Sequence, residues 1–241
     1  MKRLILVLSF LILLGLGVGS QIWLSKLNPT SGVSVGSGII ASLGGLRSIV
    51  AEVVWFRANK LQREGRYGEL IQLASILTFL EPHSHEVWRY FASNLAYDIP
   101  VSMPNGDKWF WVYSGVKMLR DQALKWNPGD ADLCYELAHL YWYKIGYKDD
   151  PAARLYREEW RKIVEDVKSR DAWQELSMSR DKMAEIEKIY DISDWTNPQA
   201  SAIYWAHQGL QKSKDGIKSR LEFLIAKAKV FYKESYKKEK L

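Results

Sequence analysis

Four histidines and one cysteine are the residues best suited to metal or nucleophilic chemistry here: His83, His85, His139, His207 and Cys134. His83-Ser84-His85-Glu86 packs two imidazoles and a carboxylate into four residues, as a metal site would. It also follows Pro82 at the start of an expected helix. There Ser84 suits an N-cap, and Glu86 suits the positive end of the helix dipole. Glu136-x-x-His139 puts a carboxylate and an imidazole on one helix face. A carboxylate-bridged di-metal centre needs a second such motif on a facing helix, and no second E-x-x-H occurs. Cys134 falls on a regularly spaced apolar position, which marks a buried thiol and not a nucleophile. Asp98, Asp107, Asp149 and Asp150 flank expected loops and read as caps. No G-x-S-x-G, Walker-type, H-E-x-x-H or dinucleotide Gly-rich motif is present. No catalytic residue, cofactor site or metal site is assigned, and the expectation is a protein without enzymatic activity.

The aromatic residues offer a different kind of chemistry. Eleven tryptophans and thirteen tyrosines are many for 241 residues. They serve helix packing with large side chains, ligand stacking, or contact with a partner. Trp109-Phe110-Trp111-Val112-Tyr113 cannot all point inward from one helix, because successive side chains are about 100° apart. Tyr141-Trp142-Tyr143 makes the same point. Trp88, Trp109, Trp111, Tyr113, Tyr141 and Trp142 are therefore the partner-facing candidates.

The elements that position these residues begin with residues 4–24, a nearly unbroken apolar run behind Met1-Lys2-Arg3. As a helix it spans about 30 Å, the thickness of a bilayer core. Lys2 and Arg3 flank one end, and Lys26 the other. The positive-inside bias then keeps the amino terminus cytoplasmic and exports the rest. A cleaved secretory signal is the competing reading. Against it, the run is long for a signal core, and Gly17-Val18-Gly19-Ser20 is only a poor cleavage site. Either way the body lies outside the cytoplasm. A single cysteine allows no internal disulfide, which suits a bacterial envelope, so the expected location is the inner membrane with a periplasmic carboxy-terminal domain.

The net charge of +6 is unevenly distributed. Residues 217–241 carry eight basic and three acidic side chains, nearly the whole excess. Lys227, Lys229, Lys233, Lys237 and Lys238 are the candidates for contact with an anionic surface such as lipid head groups. An exported domain has no nucleic acid to bind.

Residues 28–45 are rich in Gly and Ser and read as a linker or an interfacial segment. Across 39–54, Ile39, Ile40, Leu43, Leu46, Val50, Val53 and Val54 recur at helical steps, with small residues between them. That pattern fits a close helix–helix contact or a helix at the membrane surface. From Leu46 onward the sequence predicts helix after helix, with no strand-like alternation. Breaks are expected at Gly65-Arg66, Glu81-Pro82, the Pro100–Asp107 loop, Asn127-Pro128-Gly129, Lys148–Pro151 and Thr196-Asn197-Pro198.

These breaks share a register. Pro82 is followed six residues later by Trp88, then Phe91, Ala92 and Leu95. Pro128 is followed six residues later by Cys134, then Leu137, Ala138 and Tyr141. Val54-x-x-Arg57-Ala58-x-x-Leu61 has the same spacing and leads to Gly65, Tyr67 and Pro82. The small residue lets a neighbouring helix approach, and Gly65 relieves the turn. The pattern resembles the tetratricopeptide repeat, whose period is about 34 residues. The first unit, roughly Ser48 to Pro82, matches that length. The second spans 46 residues from Pro82 to Pro128, the excess falling in the Ile99–Asp107 stretch. A third begins at Cys134, and a fourth, at Trp205 and Gly209, is out of register. The clearest repeats cover 46–168, and 169–241 is degenerate.

The resemblance implies an all-α protein: a transmembrane anchor over 1–27, a joining segment over 28–45, and a short α-solenoid of antiparallel helix pairs over 46–241. Such a surface suits protein partners in an envelope complex, with the bilayer as the other contact. A homo-oligomer is compatible with it. The alternative is a periplasmic module for a glycan or other small ligand. A closed pocket walled by Trp and Tyr favours that reading, and an open face favours the scaffold.

Overall fold

The computed structural model describes residues 35–147 and 151–239, the side chains of 35–46 and 235–239 excepted. Every regular element among the described residues is helical. The chain divides into two compact units between Leu80 and Glu81. The apolar run 4–24, its flanks Lys2, Arg3 and Lys26, and the loop residues Asp149 and Asp150 lie outside the described residues. Among those described, no helix is long and apolar enough to cross a membrane.

The described residues of the first unit form a helical hairpin, α1 (Val35–Arg63) and α2 (Tyr67–Leu80). The Gly/Ser-rich stretch expected as a linker or an interfacial segment is helical from Val35 onward. The turn closes as a Schellman motif. Arg66 N–H donates to Leu61 C=O at 2.9 Å, and Gly65 N–H to Gln62 C=O at 3.0 Å. Gly65 has φ +68°, the left-handed geometry that glycine reaches without a Cβ penalty, and α2 starts two residues later at Tyr67. Ala51, Ala58 and Leu61 of α1 and Leu70, Ala74 and Leu77 of α2 are buried. Arg47 Nη2 donates to Phe79 C=O at 2.8 Å, and its Nε donates to Leu80 C=O, so carbonyls left open by the end of α2 are satisfied.

The second unit holds seven helices among its described residues. Helix α3 runs from His85–Ser93 through a π-helical turn, Asn94–Asp98, into Ile99–Ser102. Helix α4 runs from Asn105–Lys117 through a second π turn, Met118–Ala123, to Leu124–Trp126. Helix α5 is Ala131–His139 with a third π turn, Leu140–Ile145. Then follow α6 (Ala153–Ser169), a 3₁₀ turn (Trp173–Leu176), α7 (Arg180–Tyr190), α8 (Pro198–Leu210) and α9 (Asp215–Glu239).

Most expected breaks fall where the helices end. The Pro100–Asp107 loop does not, because helix persists through Ser102 and resumes at Asn105. Pro100 sits in the first turn after a π turn, where a missing N–H is tolerated, and only Met103 and Pro104 interrupt. The charged stretch after Ser169 contains a short 3₁₀ turn that the sequence pattern did not mark.

Helix α8 is the centre of this unit, packing on both α5 and α9. Residues 198–206 are buried all round, as expected of a helix made of Ala, Ser and aromatics with almost no charge. Two glycines mark close approaches. A Cβ on Gly209 would come within 2.9 Å of Cys134 Cβ, and one on Gly115 within 2.8 Å of the Ala92 carbonyl oxygen. Ala92 is one of the small residues picked out by the repeat register.

Candidate functional site

The six aromatic candidates fall into two groups. Trp88 and Tyr141 are core residues and cannot face a partner, which corrects the sequence expectation for both. Trp88 donates its indole N–H to Pro82 C=O at 2.9 Å, and the Tyr141 ring lies 4.8 Å from Trp160. Both occupy large positions of the repeat register, Trp88 with Phe91 and Ala92 and Tyr141 with Leu137 and Ala138, so the spacing that marks the packed face already includes them. Trp109, Trp111, Tyr113 and Trp142 are half-buried. Trp109 stacks on Tyr113 at 5.2 Å and lies 6.3 Å from Tyr156, so its ring belongs to the packed wall of the unit. Within the 109–113 run, Val112 turns inward and Phe110, 60% exposed, turns outward.

The histidines hold structural positions. His83 Nδ1 is 3.3 Å from Asn127 Oδ1, and Ser84 Oγ accepts from Val87 N–H at 3.4 Å as the N-cap of α3. His139 Nδ1 lies 3.2 Å from the Tyr97 hydroxyl. Burial, aided by the positive charge of Arg220, holds this imidazole below its ordinary range. Burial raises the Glu136 carboxyl above its usual range, opposed by Arg89 and Arg220, which share a small cleft with it. Burial pushes the Cys134 thiol up to about 12, so it stays protonated at neutral pH. Among the described residues, no three His, Cys, Asp or Glu side chains converge as a metal would require.

Lys227 and Lys229 lie 5.3 and 5.5 Å from the ring centroids of Phe223 and Tyr190, and Lys233 is exposed. The side chains of Lys237 and Lys238 lie outside the described residues.

Two surface features remain. The first is on the hairpin. Ile49, Val53 and Phe56 are 52%, 65% and 72% exposed. At about 100° per residue they share one side of α1, opposite the side carrying Ala51, Ala58 and Leu61. On α2, Phe79 is 78% exposed. The second feature is a cleft of about 530 Å³ in the carboxy-terminal unit. Its walls come from the end of α4, the turn into α5, and helices α7 and α8. Sequence reasoning missed it, because Lys125, Lys182 and Lys212 form no charge cluster along the chain. The one local signal was the Pro128-Gly129 turn. Gly129 has φ +73°, and Lys212 lies across it so closely that a Cβ there would sit 2.5 Å from Lys212 Cδ.

No protein-family model, curated protein or solved structure matches this chain.

Proposed function

We propose that this chain is a membrane-anchored, non-enzymatic scaffold of the bacterial envelope, held by residues 4–24 with its helical body in the periplasm, and that it binds protein partners. The observation that carries the reading is the outward apolar side of α1. Phe56, Val53 and Ile49 form a strip of the kind that marks interaction surfaces. It lies on the first described helix after the apolar run. The likeness to tetratricopeptide repeats is part of the same reading. The Schellman turn at Gly65, the start of α2 at Tyr67, and the Ala92–Gly115 approach of α3 and α4 support it. The strip is assigned to a transmembrane neighbour. The surface-accessible aromatics Phe110, Trp111 and Trp142 are a second contact surface.

A photo-crosslinking residue at position 56 of the full chain, in native membranes, should capture a defined membrane protein. The double substitution Val53→Ser and Phe56→Ser should abolish co-purification of that protein. The same change should alter folding stability by no more than about 0.5 kcal/mol, because both side chains are exposed. Capture of lipid alone, or unchanged co-purification, would reject the scaffold role. A reporter fused after Leu241 should be active only in the periplasm, and cytoplasmic activity would reject the topology.

A further inference from the structure

We infer that the cleft between the α4–α5 turn and helices α7 and α8 binds a small organic molecule through a phosphate group. The inference concerns the carboxy-terminal unit and does not depend on the scaffold role.

Charge is the first ground. Four cations, Arg120, Lys125, Lys182 and Lys212, line the cleft with one carboxylate, Asp121. Arg120 already holds that carboxylate in a bidentate pair, Nε to Oδ1 at 2.6 Å and Nη2 to Oδ2 at 2.9 Å. Neutral acceptors hold two of the lysines in place. Lys182 Nζ donates to Gln208 Oε1, and Lys212 Nζ lies 3.5 Å from the Pro128 carbonyl oxygen. Three ammonium groups thus border one concavity with no ion-pair partner among the described residues. Like charges brought together in this way repel unless an anion joins them. A monocarboxylate would balance one of the three, and a phosphate dianion balances two. Lysine is a common phosphate binder, acting as a compact charge.

Hydrogen-bond donors are the second ground. Trp205 is 7% exposed, and its indole N–H has no partner. Gln208 is oriented by Lys182 through its oxygen, which leaves its buried amide N–H₂ without a partner too. Among the described residues partnerless buried donors also occur on Trp142 and Trp160; in this wall two of them stand beside three lysines, where an anionic acceptor would satisfy them. The small cleft around Glu136 differs. Its Arg89 and Arg220 are outnumbered by Glu86, Asp132 and Glu136, so it offers an anion no excess of positive charge.

Size and lining decide for an organic molecule over a lone ion. About 530 Å³ falls in the 300–1,000 Å³ range of small-molecule sites. Leu124, Pro128, Tyr204 and Trp205 supply uncharged surface beside the lysines.

The test uses the full chain in phosphatidylcholine nanodiscs, titrated by calorimetry with phenyl phosphate, inorganic phosphate and benzoate. Phenyl phosphate should bind saturably, inorganic phosphate should compete more weakly, and benzoate should not compete. Lys182→Gln with Lys212→Gln should weaken phenyl phosphate roughly tenfold or more, the scale of losing charge-assisted hydrogen bonds. Trp205→Phe, which keeps an aromatic side chain but removes the indole N–H, should also weaken it. Lys168→Gln with Lys188→Gln makes the same charge change on exposed lysines outside the cleft and should leave affinity unchanged. Nanodiscs containing phosphatidic acid distinguish the source of the phosphate. Competition from that lipid assigns the cleft to a head group, and its absence assigns it to a soluble ester. Equal losses in the two double variants, or no saturable binding of phenyl phosphate, would overturn the inference.

Discussion

Phe56 and Trp160 are both large, apolar residues in the middle of helices, yet they end in opposite surroundings. Phe56 on the hairpin is 72% exposed, whereas Trp160 on α6 is fully buried. Among the described residues of its unit α1 packs against α2, through a narrow side carrying alanines and Leu61. In the carboxy-terminal unit helices pack on several sides, and α8 is enclosed all round. The number of neighbours sets how much apolar surface a helix can hide, and residue type does not. The hairpin is thus left with an apolar face and little chemistry. The larger unit buries its aromatics and gathers charge around a cleft.

The contrast is sharpest under truncation. Trp160→Ala removes a fully buried indole and should cost about 3–5 kcal/mol, measured by denaturant unfolding. A loss no larger than that from Phe56→Ser would erase the difference between the regions. Gly65→Ala tests the hairpin by a different route. The space around this glycine is open, with nothing within 4 Å of where a Cβ would sit, so only the left-handed backbone opposes the change. The expected loss is about 1–2 kcal/mol, seen as faster hydrogen exchange in peptides from 47–80. No change would mean that the turn is not under conformational constraint.

The smallest effect concerns pH. Burial lowers the folded pKa of His139 from its ordinary 6.5. Below pH 6.5 the unfolded chain therefore binds a proton that the folded chain does not, and stability falls as pH falls. His139→Gln should flatten that slope by at most about 1.4 kcal/mol per pH unit, measured by urea unfolding between pH 7.5 and 5.5. Glu136 acts in the opposite direction. Its raised folded pKa favours the folded state as pH drops toward 4.5, so the two effects partly cancel in more acidic solution. A slope unchanged by the substitution would show that this part of the carboxy-terminal unit is less sealed from water than its burial suggests.

Much of the helical framework was legible in the sequence because its signals are local. Gly65, Pro82, Ser84, Pro128 and Pro198 act through their own φ angles or side chains on adjacent backbone, so they mark the same breaks in any context. The loop expected at Pro100 failed for a non-local reason. A π turn inside α3 let the helix continue, and such turns depend on packing more than on residue type. Trp88 and Tyr141, by contrast, follow the repeat spacing into the core with Phe91, Ala92, Leu137 and Ala138. The candidate sites divide in the same way. The apolar pattern through Val50 and Val53 was visible as a helical repeat, although only the packed hairpin shows which side of it is covered.

By itself, the sequence determined an all-helical body, the places where most of its helices begin and end, and the presence of an apolar run at its start. Periodicity, prolines and glycines act over a few residues and carry that information directly. The tertiary structure alone decided which aromatics are sealed and which are not. It also brought Lys125, Lys182, Lys212 and Trp205 around one concavity. Coulomb repulsion and orphaned donors arise from distances in space, and distances between residues far apart in a chain are fixed only when helices pack.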